Sequence, residues 1–194
     1  MTRIFIADVS CIDIEAFLGK VSPARREKTL RLSKDDDKRR SLGAEMLLIK
    51  AAGRDDYVLS KNEKPYFPDN EVFFSLAHCG DYAVCAVSDV PVGVDIELPR
   101  AGGARLAKRF FRHDEAALVY AADDPDREFC RLWTLKESYI KCDDLRLGNI
   151  RSFSVVSGAE GCSFSGASHG EYLIGDAVGY KHSPRRIKAA VQLS

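Results

Sequence analysis

Residues 92–98 read VGVDIEL, and the two faces of this segment decide how the chain is read. Side chains of an extended strand alternate between faces. Val92, Val94, Ile96 and Leu98 therefore share one face, and Gly93, Asp95 and Glu97 share the other. The first face is wholly apolar and belongs to a core. The second offers two carboxylates pointing the same way. It is open to two readings. One is the solvated side of an antiparallel sheet. The other is part of a divalent-cation site, because magnesium is commonly held by one or two carboxylates while substrate phosphates and water complete its shell.

Upstream, 71–77 (EVFFSLA) and 82–88 (YAVCAVS) have the same strand character, and turn residues separate the three segments. They read as an antiparallel three-stranded meander. In that pairing Glu97 lies opposite the start of 82–88, beside the first turn. His78, the two carboxylates and one end of the sheet then coincide. Alone, His78 is equally a hairpin-end histidine with no role.

Farther out, 3–9 (RIFIADV) reads as a strand. Ser22-Pro23 reads as a helix start. Asp35, Asp36 and Asp37 suit the positive end of a second helix that Gly53 terminates. NEKPYFPDN (62–70) is a rigid loop with two prolines, and ELPRAGGAR (97–105) is the best linker. Beyond it, 104–122 and roughly 126–142 are helical in pattern. RSFSVV (151–156), EYLIGDAVGY (171–180) and IKAAVQL (187–193) read as short strands. The order predicts an α+β fold in two halves, 1–98 and 99–194.

The 194 residues carry 29 basic and 29 acidic side chains, so formal net charge is zero and nothing global points to nucleic acid or membrane. The N-terminus lacks a secretory pattern, and no apolar run is long enough to span a bilayer. Six cysteines without a CxxC pair read as thiols of a cytoplasmic protein. The four histidines lack zinc-ligand spacing.

LWTLKESYIKC (132–142) holds the one tryptophan. At about 100° per residue, Phe129, Leu132, Trp133, Tyr139 and Ile140 form one apolar stripe. Glu137 and Lys141 fall together on its border, and Lys136 falls inside it. Glu137 and Lys141 could form an exposed i,i+4 pair or line a cleft where a phosphate-rich ligand uses both. Lys136 reads as a buried stem with its ammonium at the rim. Arg25 and Lys28, three apart, could present both cations to one phosphate or lie on a solvated helix.

Taken together, these segments resemble the 4′-phosphopantetheinyl transferases, in particular the two-half surfactin-synthetase type. VGVDIE (92–97) and WTLKESYIK (133–141) are similar to that family's two signature motifs, with RFF (109–111) between them. SPARREK (22–28), DDKRRSLGAEMLL (36–48), EKPYFP (63–68) and FSLAHCG (74–80) resemble its N-terminal motifs, in order. The resemblance implies a pseudo-dimer of two similar α+β halves, monomeric, with the active site between them. It implies transfer of the phosphopantetheine arm of coenzyme A to a serine of an apo acyl or peptidyl carrier protein, releasing 3′,5′-ADP. By resemblance, Asp95, Glu97 and Glu137 hold Mg²⁺, Glu137 also serves as base, and Lys141 stabilises diphosphate charge. Arg25, Lys28, Arg40 and His78 match positions that bind coenzyme A phosphates. Ser41, Lys64 and Pro65 match positions near the nucleotide. Trp133 and Lys136 shape the pocket between the halves. The basic run Arg105, Lys108, Arg109 and Arg112 is a docking face for an acidic carrier or simply a solvated helix.

Two positions depart from the family pattern. Glu63 stands where glycine commonly precedes Lys-Pro, and Ala77 where serine commonly precedes the histidine. Two further readings use the same residues. One is a Mg²⁺-dependent phosphodiesterase or pyrophosphatase with water as nucleophile. The other is an inactive coenzyme A-binding or carrier-binding module.

Overall fold

The computed structural model describes residues 1–159 and 161–179 and the backbone of 186–187. It is a mixed α+β fold built from two sheets and two long helices. The first sheet has the order β4-β5-β1-β9, from β1 (Arg3–Asp8), β4 (Phe73–Cys79), β5 (Tyr82–Ser88) and the short β9 (Arg186–Ile187). The second has the order β6-β8-β7, from β6 (Val92–Glu97), β7 (Cys162–His169) and β8 (Tyr172–Gly179). A two-stranded ribbon joins β2 (Val58–Leu59) and β3 (Pro65–Tyr66).

The helices form where their end signals stand. After the short α1 (Ile14–Leu18) comes α2 (Pro23–Leu30), where Ser22 accepts a hydrogen bond from the Arg25 amide and proline occupies the first turn. In α3 (Asp35–Ala52), three aspartates face the positive end and Gly53 closes the helix in the left-handed region at φ 77°. The apolar side of α3 packs Leu42, Leu47 and Leu48 against Ala7, Phe74, Ala83 and Cys85 of the first sheet. The opposite face of that sheet meets the second sheet. Ile4, Ile6, Ala77 and Val84 pack there with Val92, Val94, Ile96 and Ile174. The helix α6 (Pro125–Cys142) covers the far side of the second sheet. Between linker and α6, the stretch 104–122 is not one helix. A 3₁₀ turn (Gly103–Leu106), α4 (Ala107–Phe110) and α5 (His113–Ala121) divide it.

The predicted meander stops after two strands. β4 and β5 pair antiparallel, but β6 leaves them and pairs with β8, Asp95 opposite Gly175 and Glu97 opposite Leu173. The apolar face of β6 is satisfied equally well against the first sheet as within it, so the local pattern does not choose between these arrangements. RSFSVV is not a strand; Ser154 there caps a turn by accepting from the Val156 and Ser157 amides. The strand is β7 instead, a polar segment between Gly161 and Gly170, both with positive φ. EYLIGDAVGY contains β8, whereas IKAAVQL lies outside the described residues except for Ile187.

The contact that fixes α6 is made through glycine. A Cβ on Gly93 would stand 1.8 Å from the Ser138 carbonyl oxygen and 2.6 Å from the Cys142 nitrogen. One on Gly175 would stand 2.6 Å from the Thr134 carbonyl carbon. The helix backbone therefore rests directly on the strands. Gly93→Ala is expected to lower unfolding free energy by about 3 kcal/mol or more, because backbone and not a flexible side chain must yield. Gly19→Ala, where nothing lies within 4 Å, should change it by about 0.5 kcal/mol at most. Denaturant titration of both variants checks the difference.

Candidate active site

The seating of α6 carries Glu137 and Lys141 over the carboxylate face of β6. Lys141 Nζ donates to Asp95 Oδ1 at 2.6 Å and to the Val94 carbonyl at 3.2 Å. Asp95 Oδ2 is buried and has no hydrogen-bond partner among the described residues. Burial pushes the Asp95 carboxyl up to about 7; Lys141 opposes this, and Glu137 and Glu97 add to it. Glu137 is raised by burial, lowered by Lys141 and raised by Glu97. Glu97 Oε2 accepts from the Cys79 thiol at 3.4 Å. The three carboxylates thus act on one another's charge beside a single ammonium.

Among the described residues, no group of three or more His, Cys, Asp or Glu side chains could hold a metal ion as it stands. In kind, however, the residues fit magnesium. All three donors are carboxylates, as a hard cation prefers, and one buried oxygen of Asp95 lacks a partner.

β4 runs beside β6, with the Val94 amide donating to Ser75 Oγ at 3.0 Å. The hairpin pairing expected to bring His78 to the carboxylates is absent, and the charges felt at His78 are those of Arg40, Lys141 and Arg25. His78 is solvent-exposed on its strand. Crowding around it lowers its pKa, as do the charges of Arg40, Lys141 and Arg25. Because the ring keeps access to solvent, those cations are the firmer cause. Arg40, on α3, donates to the Gly80 carbonyl at 3.1 Å and to Asp37 at 2.6 Å. Lys28 is exposed on α2.

Arg25 is turned inward. Its guanidinium donates to buried Glu45 at 2.6 Å, to the Tyr57 hydroxyl at 3.2 Å and to Ser41 Oγ at 3.5 Å. Ser41 is buried and also bonds Thr29 at 3.0 Å. Arg25 and Ser41 therefore belong to one internal network, and the solvated-helix reading of Arg25 does not hold. Lys64 donates to the Cys142 carbonyl at 3.0 Å, at the end of α6. Pro65 joins it on the wall of a cavity of about 260 Å³ that also includes Ser75 and Lys141. A second cavity, about 250 Å³, opens beside Glu97 and is lined by Leu98, Leu106, Phe129, Cys130 and Trp133.

Lys136 does not reach the rim. It and Glu115 are both 0% exposed, and Nζ lies 2.8 Å from each Glu115 oxygen and from the Phe153 carbonyl. Burial lowers the lysine's pKa and Glu115 opposes the shift. Glu115 also accepts from the Arg112 and Val155 amides, tying α5, α6 and the following loop together. The sequence reading missed Glu115. The signal was the lysine itself, since a cation inside an apolar stripe needs an anion from another element.

The family model of the 4′-phosphopantetheinyl transferase superfamily matches residues 91–183. The 4′-phosphopantetheinyl transferase Sfp of Bacillus subtilis (strain 168) is 33% identical over 154 residues, covering 73% of this chain and 68% of that protein. This chain belongs to the 4′-phosphopantetheinyl transferase superfamily. It is also 35% identical to a second Bacillus subtilis 4′-phosphopantetheinyl transferase, over 66% of this chain and 62% of that protein. Against 4′-phosphopantetheinyl transferase gsp of Aneurinibacillus migulanus it is 34% identical, over 63% and 56%. The chain thus spans less than two thirds of the length of the last two. These relatives place it with the surfactin-synthetase type of the superfamily.

Both departures from the family pattern have a structural address. Ala77 is buried against the second sheet, so its side chain faces the core. Glu63 has φ 66°, in the left-handed region where glycine is at ease. Glu63→Gly is therefore expected to hold or raise the thermal midpoint. Glu63→Ile should cost about 1–2 kcal/mol, since a β-branched residue is least tolerated there. For the buried pair, Lys136→Met should cost about 3–5 kcal/mol in denaturant unfolding by leaving Glu115 charged and unpaired.

Proposed function

We infer that this chain transfers the 4′-phosphopantetheine arm of coenzyme A to a serine of an apo carrier protein. The observation that supports this most is the meeting of Asp95, Glu97, Glu137 and Lys141 at one end of β6, with Arg40 and His78 close by. In the reaction, the serine oxygen attacks the phosphorus on the pantetheine side of the diphosphate. A new O–P bond forms, the bridging P–O bond breaks, and 3′,5′-ADP leaves.

Asp95, Glu97 and Glu137 would hold Mg²⁺. When bound, the ion would draw charge from the diphosphate oxygens. Glu137, its pKa raised by burial, is suited to take the serine proton. Lys141 offers a point charge to the diphosphate. Arg40 and Lys28 supply the cationic face for the remaining phosphate, and His78, its ring kept neutral by crowding and by its cationic neighbours, offers a hydrogen bond. In this reading Arg25 and Ser41 act from behind, holding α2 against α3. Lys64 and Pro65 line the nucleotide side of the cavity, and Trp133 walls the one beside Glu97.

We read the two helix-covered sheets as two related halves, 1–98 and 99–194, with β6 lent by the first half to the second sheet. The protein acts as a cytoplasmic monomer and needs neither nucleic acid nor membrane. No helix among the described residues is long and apolar enough to cross a membrane. Arg105, Lys108, Arg109 and Arg112 are all exposed beside Leu106, and form the face that meets an acidic carrier.

Purified protein, coenzyme A, Mg²⁺ and a panel of apo fatty-acid, polyketide and nonribosomal-peptide carriers test the reading. A pantetheine mass gain on at least one carrier is expected. Glu137→Ala should lower turnover by about 10²-fold or more while coenzyme A still binds. Absence of transfer to every carrier would overturn the assignment. Coenzyme A breakdown without a carrier would point to a phosphodiesterase instead.

A further inference from the structure

The segment between β2 and β3 is bonded, side chain by side chain, to the chain that follows α6. Ser60 Oγ donates to Asp144 Oδ1 at 2.9 Å. Asn62 Nδ2 donates to the Asp144 carbonyl at 2.6 Å, and Asn62 Oδ1 accepts from Arg146 Nε at 3.0 Å. Lys64 Nζ caps the Cys142 carbonyl at 3.0 Å. The partners are 78 to 84 residues apart in sequence.

Two features mark this contact as more than surface decoration. Both sides hold a non-glycine residue in the left-handed region, Glu63 at φ 66° and Asp144 at φ 49°. Such backbone persists where surrounding bonds over-determine it. The contact also forms one wall of the 260 Å³ cavity that Lys141 lines. Lys141 is the residue before Cys142, so the last turn of α6 is held from two directions: by Lys141 onto Asp95, and by the hairpin onto the helix end.

We propose that Asn62 and Asp144 are positioning residues for Lys141, clasping the last turn of α6 so that its ammonium stays over Asp95 at the edge of the cavity. Both also line the cavity, but their effect on Lys141 runs through the helix end, and the coenzyme A dissociation constant separates the two. The proposal rests on the transferase reading for its kinetic consequence but not for its structural one. A helix end freed on one side lets Lys141 wander, and misplacement of a charged group by about 1 Å can cost up to about 10²-fold in rate.

The experiment combines two readouts on full-length protein. Hydrogen exchange is followed at the amides of 138–146 in wild type, Asn62→Ala, Asp144→Ala and Asp144→Asn. Steady-state transfer is measured on the same proteins, alone and combined with Lys141→Met. Asn62→Ala and Asp144→Ala are expected to speed exchange in 138–146 and to lower kcat about 10-fold, with the coenzyme A dissociation constant changed less than about 3-fold. Asp144→Asn keeps the Ser60 acceptor and tolerates the left-handed backbone, so it should restore both readouts. In the Lys141→Met background the Asn62→Ala effect should nearly vanish, the mark of two residues acting through one ammonium. Unchanged exchange in both alanine variants would overturn the clasp. Faster exchange with full additivity to Lys141→Met would overturn the positioning role. If wild type itself transfers nothing, the transferase reading fails while the exchange result still judges the clasp.

Discussion

The site depends on the absence of two side chains. With hydrogen at Gly93 and Gly175, the backbone of α6 reaches van der Waals contact with β6 and β8; with a methyl it could not. Gly175 sits directly opposite Asp95 in the sheet register. The helix therefore crosses above the pair, and its Glu137 and Lys141 descend beside a carboxylate that the same approach has sealed from water. Burial is the largest cause of the raised Asp95 and Glu137 pKa values. Close packing and acid–base character are thus one fact seen twice: the shape that seats the helix also withholds the solvent that would keep these carboxylates ordinary.

Two buried ion pairs hold the elements around this contact, and they have opposite polarity. On the first sheet's helices, Glu45 of α3 receives Arg25 of α2. On the second sheet's side, Lys136 of α6 receives Glu115 of α5. In each case one long helix provides a fully buried charge from its core-facing side, and a shorter helix answers it. Removing one member of such a pair is far costlier than never having built it, so the shorter helices are fixed in place. The consequence differs between the two. Arg25 is consumed internally, leaving Arg40 and Lys28 as the outward cations, with His78 beside Arg40. Lys136 is consumed internally, leaving its neighbours Glu137 and Lys141 as the outward pair.

Much of this was legible from spacing. The helical repeat placed Glu137 and Lys141 on a border and Lys136 inside the stripe, and they are half-buried, half-buried and buried respectively. Strand alternation put Gly93, Asp95 and Glu97 on one face, which is the face α6 covers. The helix ends at Ser22, Asp35 and Gly53 followed from local chemistry that needs no distant partner. What spacing could not supply was pairing. The apolar face of β6 fits a meander or a sheet-on-sheet contact, and only β8, some eighty residues later, decides between them. β7 has few β-branched residues and was invisible for that reason. Gly93 carried an unread signal, since glycine inside a strand often marks a close backbone approach.

Several irregularities gather in one place. Glu63 and Asp144 adopt backbone that favours glycine, Lys64 has its pKa lowered by burial, and Asp95 Oδ2 lacks a hydrogen-bond partner among the described residues. All four surround the last turn of α6 and the cavity beside it. At the helix starts local preference and tertiary fold agree, from the aspartates that open α3 to the proline that opens α6. A sequence tends to violate its own local rules where a site requires it, with the compensation built into its surroundings. Here the compensation is visible as bonds. Lysines secure that turn from both sides, Lys141 by donating to β6 and Lys64 by donating to the Cys142 carbonyl at the helix end. Left-handed backbone on both sides of the hairpin contact and a buried carboxylate under Lys141 thus coincide at one helix turn.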